Sequence, residues 1–208
     1  MRPGKKMLKK EAHKITGGLS KPSKMPGPAY NLPASQCITG QKLVKIPGST
    51  CSGCYALKGR YRFSNVQKAL NRRLKALEHP QWAQAMIVLI KGRPVFRWHD
   101  SGDIQSHKHL GNIFEICHAT PETKHWLPTR EAQFLRRMSP SLPPPNLKIV
   151  FSDHMNDQEH PATFWPYTSG VTTKPGAVTC PAPKQGNKCQ SCRQCWDRDV
   201  KRVIYGKH

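Results

Sequence analysis

The stretch Val95–Ser106, VFRWHDSGDIQS, decides the fold. Its opening part, Val95–Trp98, is a short apolar run that predicts a buried strand. The remainder, His99–Ser106, is polar and contains a glycine, which is typical of a turn. A helical pattern follows over Lys108–Ala119. The stretch therefore predicts a strand, a turn and a helix in succession.

The same order of elements recurs further along the chain. One strand is predicted over His125–Pro128 and ends in the sequence TRE, and a helix over Glu131–Met138 follows it. Another strand is predicted over Leu147–Phe151 and ends in the sequence SDH. Repeated strand–helix units predict an α/β fold with a parallel sheet. Because ligands bind at the carboxyl ends of such strands, we expect HDSGD, TRE and SDH to converge on one site, although each residue alone could simply cap a helix.

The remaining elements are predicted from weaker patterns. Helical spacing of apolar residues favours helices over Asn65–Glu78 and Gln81–Lys91. An extended piece is expected over Ala29–Ala34, and a last strand over Val200–Tyr205. Glycine and proline punctuate Cys37–Tyr61, which we therefore interpret as a loop.

Charge and composition restrict the class of protein. The chain has 208 residues, and its 34 lysines and arginines against 12 acidic residues give a net charge of +22. Such a protein is expected to meet a polyanion, with nucleic acid the first candidate. No apolar stretch reaches the ~20 residues of a spanning helix, and no signal peptide is evident, so we expect a cytoplasmic protein without a membrane partner. Residues 1–28 are basic and lack periodicity, which predicts a flexible basic arm.

Seven of the eight cysteines form two groups, and disulfides are not expected in the cytoplasm. The tail group is Cys180, Cys189, Cys192 and Cys195, spaced C-x8-C-x2-C-x2-C. Four thiolates complete the coordination of zinc or of a 4Fe–4S cluster, and the spacing leaves both open. The first group is Cys37, Cys51 and Cys54, spaced C-x13-C-x2-C. Three thiolates leave one iron of a 4Fe–4S cluster open, whereas a zinc knuckle would need a histidine as well.

These segments together resemble a known family. The region from Cys37 through CSGCYALKGRY, the turn WHDSGDI, the strand end WLPTRE and the tail CPAP…CQSCRQCWD are similar to phage gene-product-88-like proteins, from about Tyr30 to Asp197. Those proteins look like small members of the radical S-adenosylmethionine (SAM) superfamily, although the first cysteine gap is wider here than in most members. The resemblance implies a partial (β/α)6-type barrel with a cysteine-rich C-terminal metal-binding tail. It divides the chain into the arm, a radical-SAM-like core over 29–170 and an auxiliary metal segment over 171–208.

The resemblance also implies roles for individual residues. Cys37, Cys51 and Cys54 would bind a 4Fe–4S cluster whose fourth iron is chelated by SAM. The residues implied to bind SAM are Tyr55 near the adenine, Ser101, Gly102 and Asp103 near the amino group, and Arg130 near the carboxylate. The tail cysteines would hold a second 4Fe–4S cluster or zinc. An external electron donor would reduce the SAM cluster.

The implied function is a radical SAM enzyme that generates a 5′-deoxyadenosyl radical. The charge suggests a nucleic-acid or nucleotide-bearing substrate, and phage DNA base modification in the host cytoplasm is one hypothesis. Its binding surface is expected at Arg60, Arg62, Arg72 and Arg73, with Trp98, Trp126, Trp165 and Tyr167 as candidates for stacking on a base. The alternative is a non-catalytic, zinc-stapled nucleic-acid-binding protein. A membrane-surface protein is disfavoured because no basic amphipathic helix is evident.

Overall fold

A single parallel sheet organises the chain. The computed structural model describes residues 7–207, apart from the side chain of Pro175. The sheet consists of β1 (Ala29–Tyr30), β2 (Val95–Trp98), β3 (Lys124–Thr129), β4 (Leu147–Asn156), β5 (Thr168–Thr172) and β6 (Arg202–Gly206). These six strands are all parallel and lie side by side in chain order. The predicted parallel α/β fold is confirmed, and the sheet is open, with β1 and β6 as its outer strands.

Six α-helices accompany the sheet: α1 (Lys9–Thr16), α2 (Ile38–Leu43), α3 (Ser64–Ala76), α4 (Trp82–Ile90), α5 (His107–Ala119) and α6 (Ala132–Leu135). The helix α5 begins at His107, one residue before the predicted start, because the hydroxyl of Ser106 accepts a hydrogen bond from His109 N at 3.0 Å. Phe96 and Trp98 of β2 are fully buried and share one apolar core with α4 and α5. Burial on nearly every side explains why α4 is almost entirely apolar.

Several boundaries differ from the sequence prediction. The strand β1 is shorter than expected because Ala34 already begins a 3-10 turn, and β4 extends beyond Phe151 to Asn156. The predicted loop over Cys37–Tyr61 contains α2. The strand β5 was not predicted, since its sequence TSGVT is short and polar. Its buried Ser169 hydroxyl lies 3.0 Å from that of Ser152 on β4, so a hydrogen bond satisfies these polar groups inside the protein.

The N-terminal region is built into the fold rather than forming the flexible arm predicted for residues 1–28. The helix α1 buries Ala12 and Thr16 completely, and the carbonyl of Thr16 accepts a hydrogen bond from the hydroxyl of Tyr30 at 2.7 Å. After the helix ends, Arg73 Nε donates to Gly18 O at 2.7 Å. The prediction also covered residues 1–6, which lie outside the described part of the chain.

The cysteine-rich tail belongs to the same body as the sheet. The boundary predicted at residue 170 falls inside β5, and β6 completes the sheet from within the tail. Buried Lys148 on β4 donates through Nζ to three tail carbonyls, those of Gln194, Asp197 and Val200. In addition, Trp196 Nε1 donates to Phe96 O at 2.9 Å. The tail backbone is thus tied to two strands without any contribution from its cysteines.

Candidate metal and cofactor site

The three polar clusters meet at the carboxyl edge of the sheet, as expected. The carboxylate of Asp103, after β2, accepts hydrogen bonds from Thr129 Oγ1 at 2.6 Å and Arg130 N at 2.9 Å, both at the end of β3. It also accepts from Ile104 N at 2.8 Å. Burial raises the pKa of Asp103 to about 6, although these hydrogen bonds oppose the shift. The Asp103 carboxylate therefore joins two neighbouring strand ends.

Arg130 connects the end of β3 with β4 and with the cysteine loop. Its Nε donates to Thr50 Oγ1 at 2.9 Å and to Asp153 O at 3.3 Å. Burial raises the pKa of the adjacent thiol of Cys51, and the positive charge of Arg130 opposes that rise. The guanidinium therefore lies near the first cysteine group.

Glu131 anchors the other side of that loop. Its side chain is fully buried, with Oε1 2.9 Å from Thr39 N and Oε2 2.7 Å from Thr39 Oγ1, which both donate. Thr39 lies in the first turn of α2, the helix that begins directly after Cys37. The carboxylate thus fixes the position of Cys37 relative to β3.

The first cysteine group is assembled by this framework. A Cβ added at Gly40 would lie 3.6 Å from Cys37 Sγ and 3.9 Å from Cys51 Sγ, so both sulfurs border the same small space. Burial, followed by the charges of Asp103, Cys54 and Cys51, raises the pKa of Cys37 far above its usual range. Within residues 7–207, no three His, Cys, Asp or Glu side chains are already arranged to hold a metal ion. The thiols are neighbours that would have to draw together around an ion.

Ser101 and Gly102 support the backbone at the end of β2. The Ser101 hydroxyl donates to Leu32 O at 2.9 Å. Gly102 has a φ of +82°, and an added Cβ would lie 2.5 Å from Leu32 Cβ, so glycine is required there. Both residues hold the loop after β1 against β2.

Two tyrosines attach the segment after Cys54 to the same edge. The hydroxyl of Tyr55 donates to Asp100 O, and that of Tyr61 donates to Asp100 Oδ2 at 2.8 Å. Asp100 also forms an ion pair with Arg97 at 2.9 Å. The ring of Tyr55 remains 44% exposed beside the cysteine loop.

The four tail cysteines border a second, separate space. They line a cavity of about 20 Å³ together with Trp196 and Val203. Cys195 Sγ lies 3.1 Å from Tyr205 Oη, and burial raises the pKa of this thiol to about 11. A cavity of this size has room for about one water-sized sphere.

The structure divides the predicted nucleic-acid-binding residues. Arg60 and Arg62 are exposed. Arg73 is buried and bound to Gly18, and the exposed Arg72 donates to Gly17 O at 3.2 Å, so both brace the end of α1. The four candidate stacking aromatics, Trp98, Trp126, Trp165 and Tyr167, are all buried core residues. The prediction that they stack on a base is therefore wrong, and these side chains pack in the core instead.

Sequence reasoning missed several contributors to the site. Glu131 was expected near the site as part of the sequence TRE but without a role of its own, and Thr39 and Thr50 received no role. A charged residue directly after a buried strand was the available signal for Glu131. Nothing local marks the two threonines, whose partners lie 92 and 80 residues away.

The family comparison covers nearly the whole chain. The model of the gene product 88 family matches residues 4–198, and the chain therefore belongs to this phage-type family. No curated protein and no solved structure matches the chain. No helix in the described part of the chain is long and apolar enough to cross a membrane.

Proposed function

We propose that this protein is a radical SAM enzyme that carries its 4Fe–4S cluster on Cys37, Cys51 and Cys54. The observation that supports this proposal best is the meeting of these thiols with the polar ends of β2, β3 and β4. Six parallel strands in chain order are also compatible with a partial (β/α)6-type barrel. The carboxyl edge of such a sheet is where its active site is expected.

The donor set suits a cluster that leaves one iron for a small ligand. Three thiols border the site, and the nearby carboxylates of Asp103 and Glu131 already accept hydrogen bonds from the protein. Burial and mutual repulsion keep Cys37 protonated without a cation, so metal binding must release protons. When bound, the reduced cluster and SAM supply a 5′-deoxyadenosyl radical that can take hydrogen from an unactivated carbon.

The residues assigned to SAM divide into two groups. Arg130 and Tyr55 are the candidates for direct contact, because the guanidinium can pair with a carboxylate and the exposed ring can face an adenine. No described residue accepts a hydrogen bond from the terminal nitrogens of Arg130. Ser101, Gly102 and Asp103 act instead as positioning residues that hold the strand ends.

The tail and the charge complete the proposal. The four thiols of Cys180, Cys189, Cys192 and Cys195 border one space and suit either a zinc ion or a second 4Fe–4S cluster. The net charge of +22 supports a nucleic-acid or nucleotide-bearing substrate, and an external donor would provide electrons.

Metal content and SAM cleavage test the proposal. Protein purified without oxygen should contain about four irons with matching sulfide on the first cysteine group, together with zinc or a second cluster in the tail. Adding SAM and a strong reductant should release 5′-deoxyadenosine. Cys51→Ser should abolish both the iron and the product, whereas Cys117→Ala, which removes a buried thiol elsewhere in the fold, should retain both. Zinc alone, without 5′-deoxyadenosine, would instead support a zinc-stapled nucleic-acid-binding protein.

A further inference from the structure

The segment 55–63 presents an unusual combination of side chains beside the first cysteine group. It consists of two short 3-10 turns, Tyr55–Leu57 and Gly59–Arg62, that lead through Phe63 into α3. Phe63 is 59% exposed. An aromatic ring left in water gives up most of the stability that its burial would contribute.

The residues that precede this ring in the segment carry positive charges without acidic partners. Lys58, Arg60 and Arg62 are all exposed. None of the ion pairs formed among residues 7–207 includes them. One short exposed segment therefore carries both an apolar ring and uncompensated cations.

The segment is held firmly although it lies at the surface. The hydroxyl of Tyr61 donates to Asp100 at 2.8 Å, and the ring of Tyr61 contacts that of Tyr55 edge to face at 5.8 Å. Both tyrosines are anchored to Asp100 at the end of β2. Ring and cations are thus presented by a preorganised platform, which lowers the entropic cost of binding.

We infer that Phe63, Arg60 and Arg62 form a binding platform for single-stranded nucleic acid. Arginines neutralise the backbone phosphates, and an exposed ring stacks on an unpaired base. A duplex keeps its bases stacked on each other and offers the ring no base face, so the combination favours a single strand. The inference rests on the nucleic-acid part of the proposed function, and it specifies that substrate as unpaired DNA or RNA bound next to the cysteine loop.

Binding of labelled oligonucleotides to the full-length protein tests this platform. Fluorescence anisotropy would compare a short single-stranded DNA, the RNA of the same sequence, and the DNA duplex. The wild type should bind the single strands more tightly than the duplex, and the DNA and RNA arms identify which source is preferred. Phe63→Ala should weaken single-strand binding roughly 5- to 100-fold. The affinity of the Phe63→Ala variant for the duplex should equal that of the wild type.

Matched variants separate stacking from charge. Leu142→Ala removes another exposed apolar side chain, which is 61% exposed, and should bind like the wild type. Arg60→Ala with Arg62→Ala should reduce the slope of log affinity against log salt by about 1 to 2, whereas Phe63→Ala should leave the slope unchanged. Lys9→Ala with Lys10→Ala, an equal charge loss on α1, should leave it unchanged as well. Unaltered thermal unfolding of each variant confirms that it is folded.

The outcomes distinguish this inference from the wider proposal. If Phe63→Ala binds single strands like Leu142→Ala, or if the duplex binds best, the single-strand platform is wrong. If only the arginine variant then loses binding, the protein still has a nucleic-acid partner, which it binds through phosphates and without base stacking. Because the assay needs neither iron nor SAM, a failure of SAM cleavage would not affect its result.

Discussion

Lys148 gives the sharpest test of how the tail is held. Its side chain is 2% exposed, and Nζ donates to the carbonyls of Gln194, Asp197 and Val200 at 3.0, 2.6 and 2.8 Å. Lys148→Met keeps a long apolar stem but removes every donor. Three buried carbonyls would then lose their partner, and the tail should loosen.

The size of the effect follows from two opposing contributions. Each buried carbonyl left without a donor costs roughly 1–3 kcal/mol, so three of them cost about 3–9 kcal/mol. The variant no longer buries an ammonium group, so it avoids the several kcal/mol that desolvation of this charge costs the wild type. A net loss of about 2–4 kcal/mol remains, which in a protein of this size lowers Tm by about 5–15 °C.

Two measurements would detect this loss. Thermal unfolding reports the change in Tm, and hydrogen exchange followed by mass spectrometry reports local opening of peptides that cover residues 189–200. The matched control is Lys201→Met, because Lys201 is exposed and, among residues 7–207, its Nζ donates one hydrogen bond, to Arg198 O at 3.2 Å, and lies over the Tyr167 ring at 4.9 Å. Its effect should stay below about 0.5 kcal/mol.

Equal Tm and equal exchange in Lys148→Met and Lys201→Met would refute the reasoning. The tail would then be held by other groups, with a metal at the four cysteines the first candidate. Repeating the exchange experiment with a chelator would show whether a bound metal ion holds the tail in place.

Two further predictions concern stability. Arg73→Ala should lower the free energy of unfolding in urea by about 1–3 kcal/mol because the buried Arg73 makes the shorter bond to the end of α1, 2.7 Å to Gly18 O. Arg72→Ala removes a longer bond of 3.2 Å from an exposed side chain and should cost less than about 0.5 kcal/mol, so equal costs would contradict the larger role of Arg73. Lowering the pH from about 7 to 5 should cause a net loss of about 4 kcal/mol: burial lowers the pKa of His99 to about 4, of His125 to about 3 and of His109 well below its usual value, so the unfolded chain takes up these protons first. Asp103, whose pKa is raised to about 6, protonates first in the folded state and offsets about 1 kcal/mol of this loss; urea titrations that show constant or rising stability towards pH 5 would contradict the balance.

Elements with a strong local pattern were predictable from the sequence. The strand β2 has its predicted bounds, and α5 differs from the prediction by one residue, since His107 also belongs to it. The strand β5 has no such pattern because its glycine leaves room for an ion pair between residues of the two neighbouring strands. A Cβ at Gly170 would lie 2.8 Å from Asp153 Oδ2 and 2.9 Å from Arg202 Nη2, so the glycine makes room for a bridge between β4 and β6.

The candidate site shows the same division between local and distant causes. The polar strand ends could be predicted because parallel strands in succession place them at one edge. Which of their side chains face a ligand could not, since that depends on distant partners. Ser101 bonds to Leu32, and Glu131 bonds to Thr39. Both side chains have the chemistry to bind a ligand, but each already forms hydrogen bonds with another part of the protein.

The net charge of +22 carries a related ambiguity. Arg73, Lys148 and Arg202 direct their charges at carbonyls or a carboxylate within the fold. Because these charges interact with groups inside the fold, they release no counterions when a nucleic acid binds. Total charge therefore overstates the binding surface. The salt dependence of affinity counts only the contacts that reach phosphates, so it, rather than composition, measures how much of the charge serves a partner.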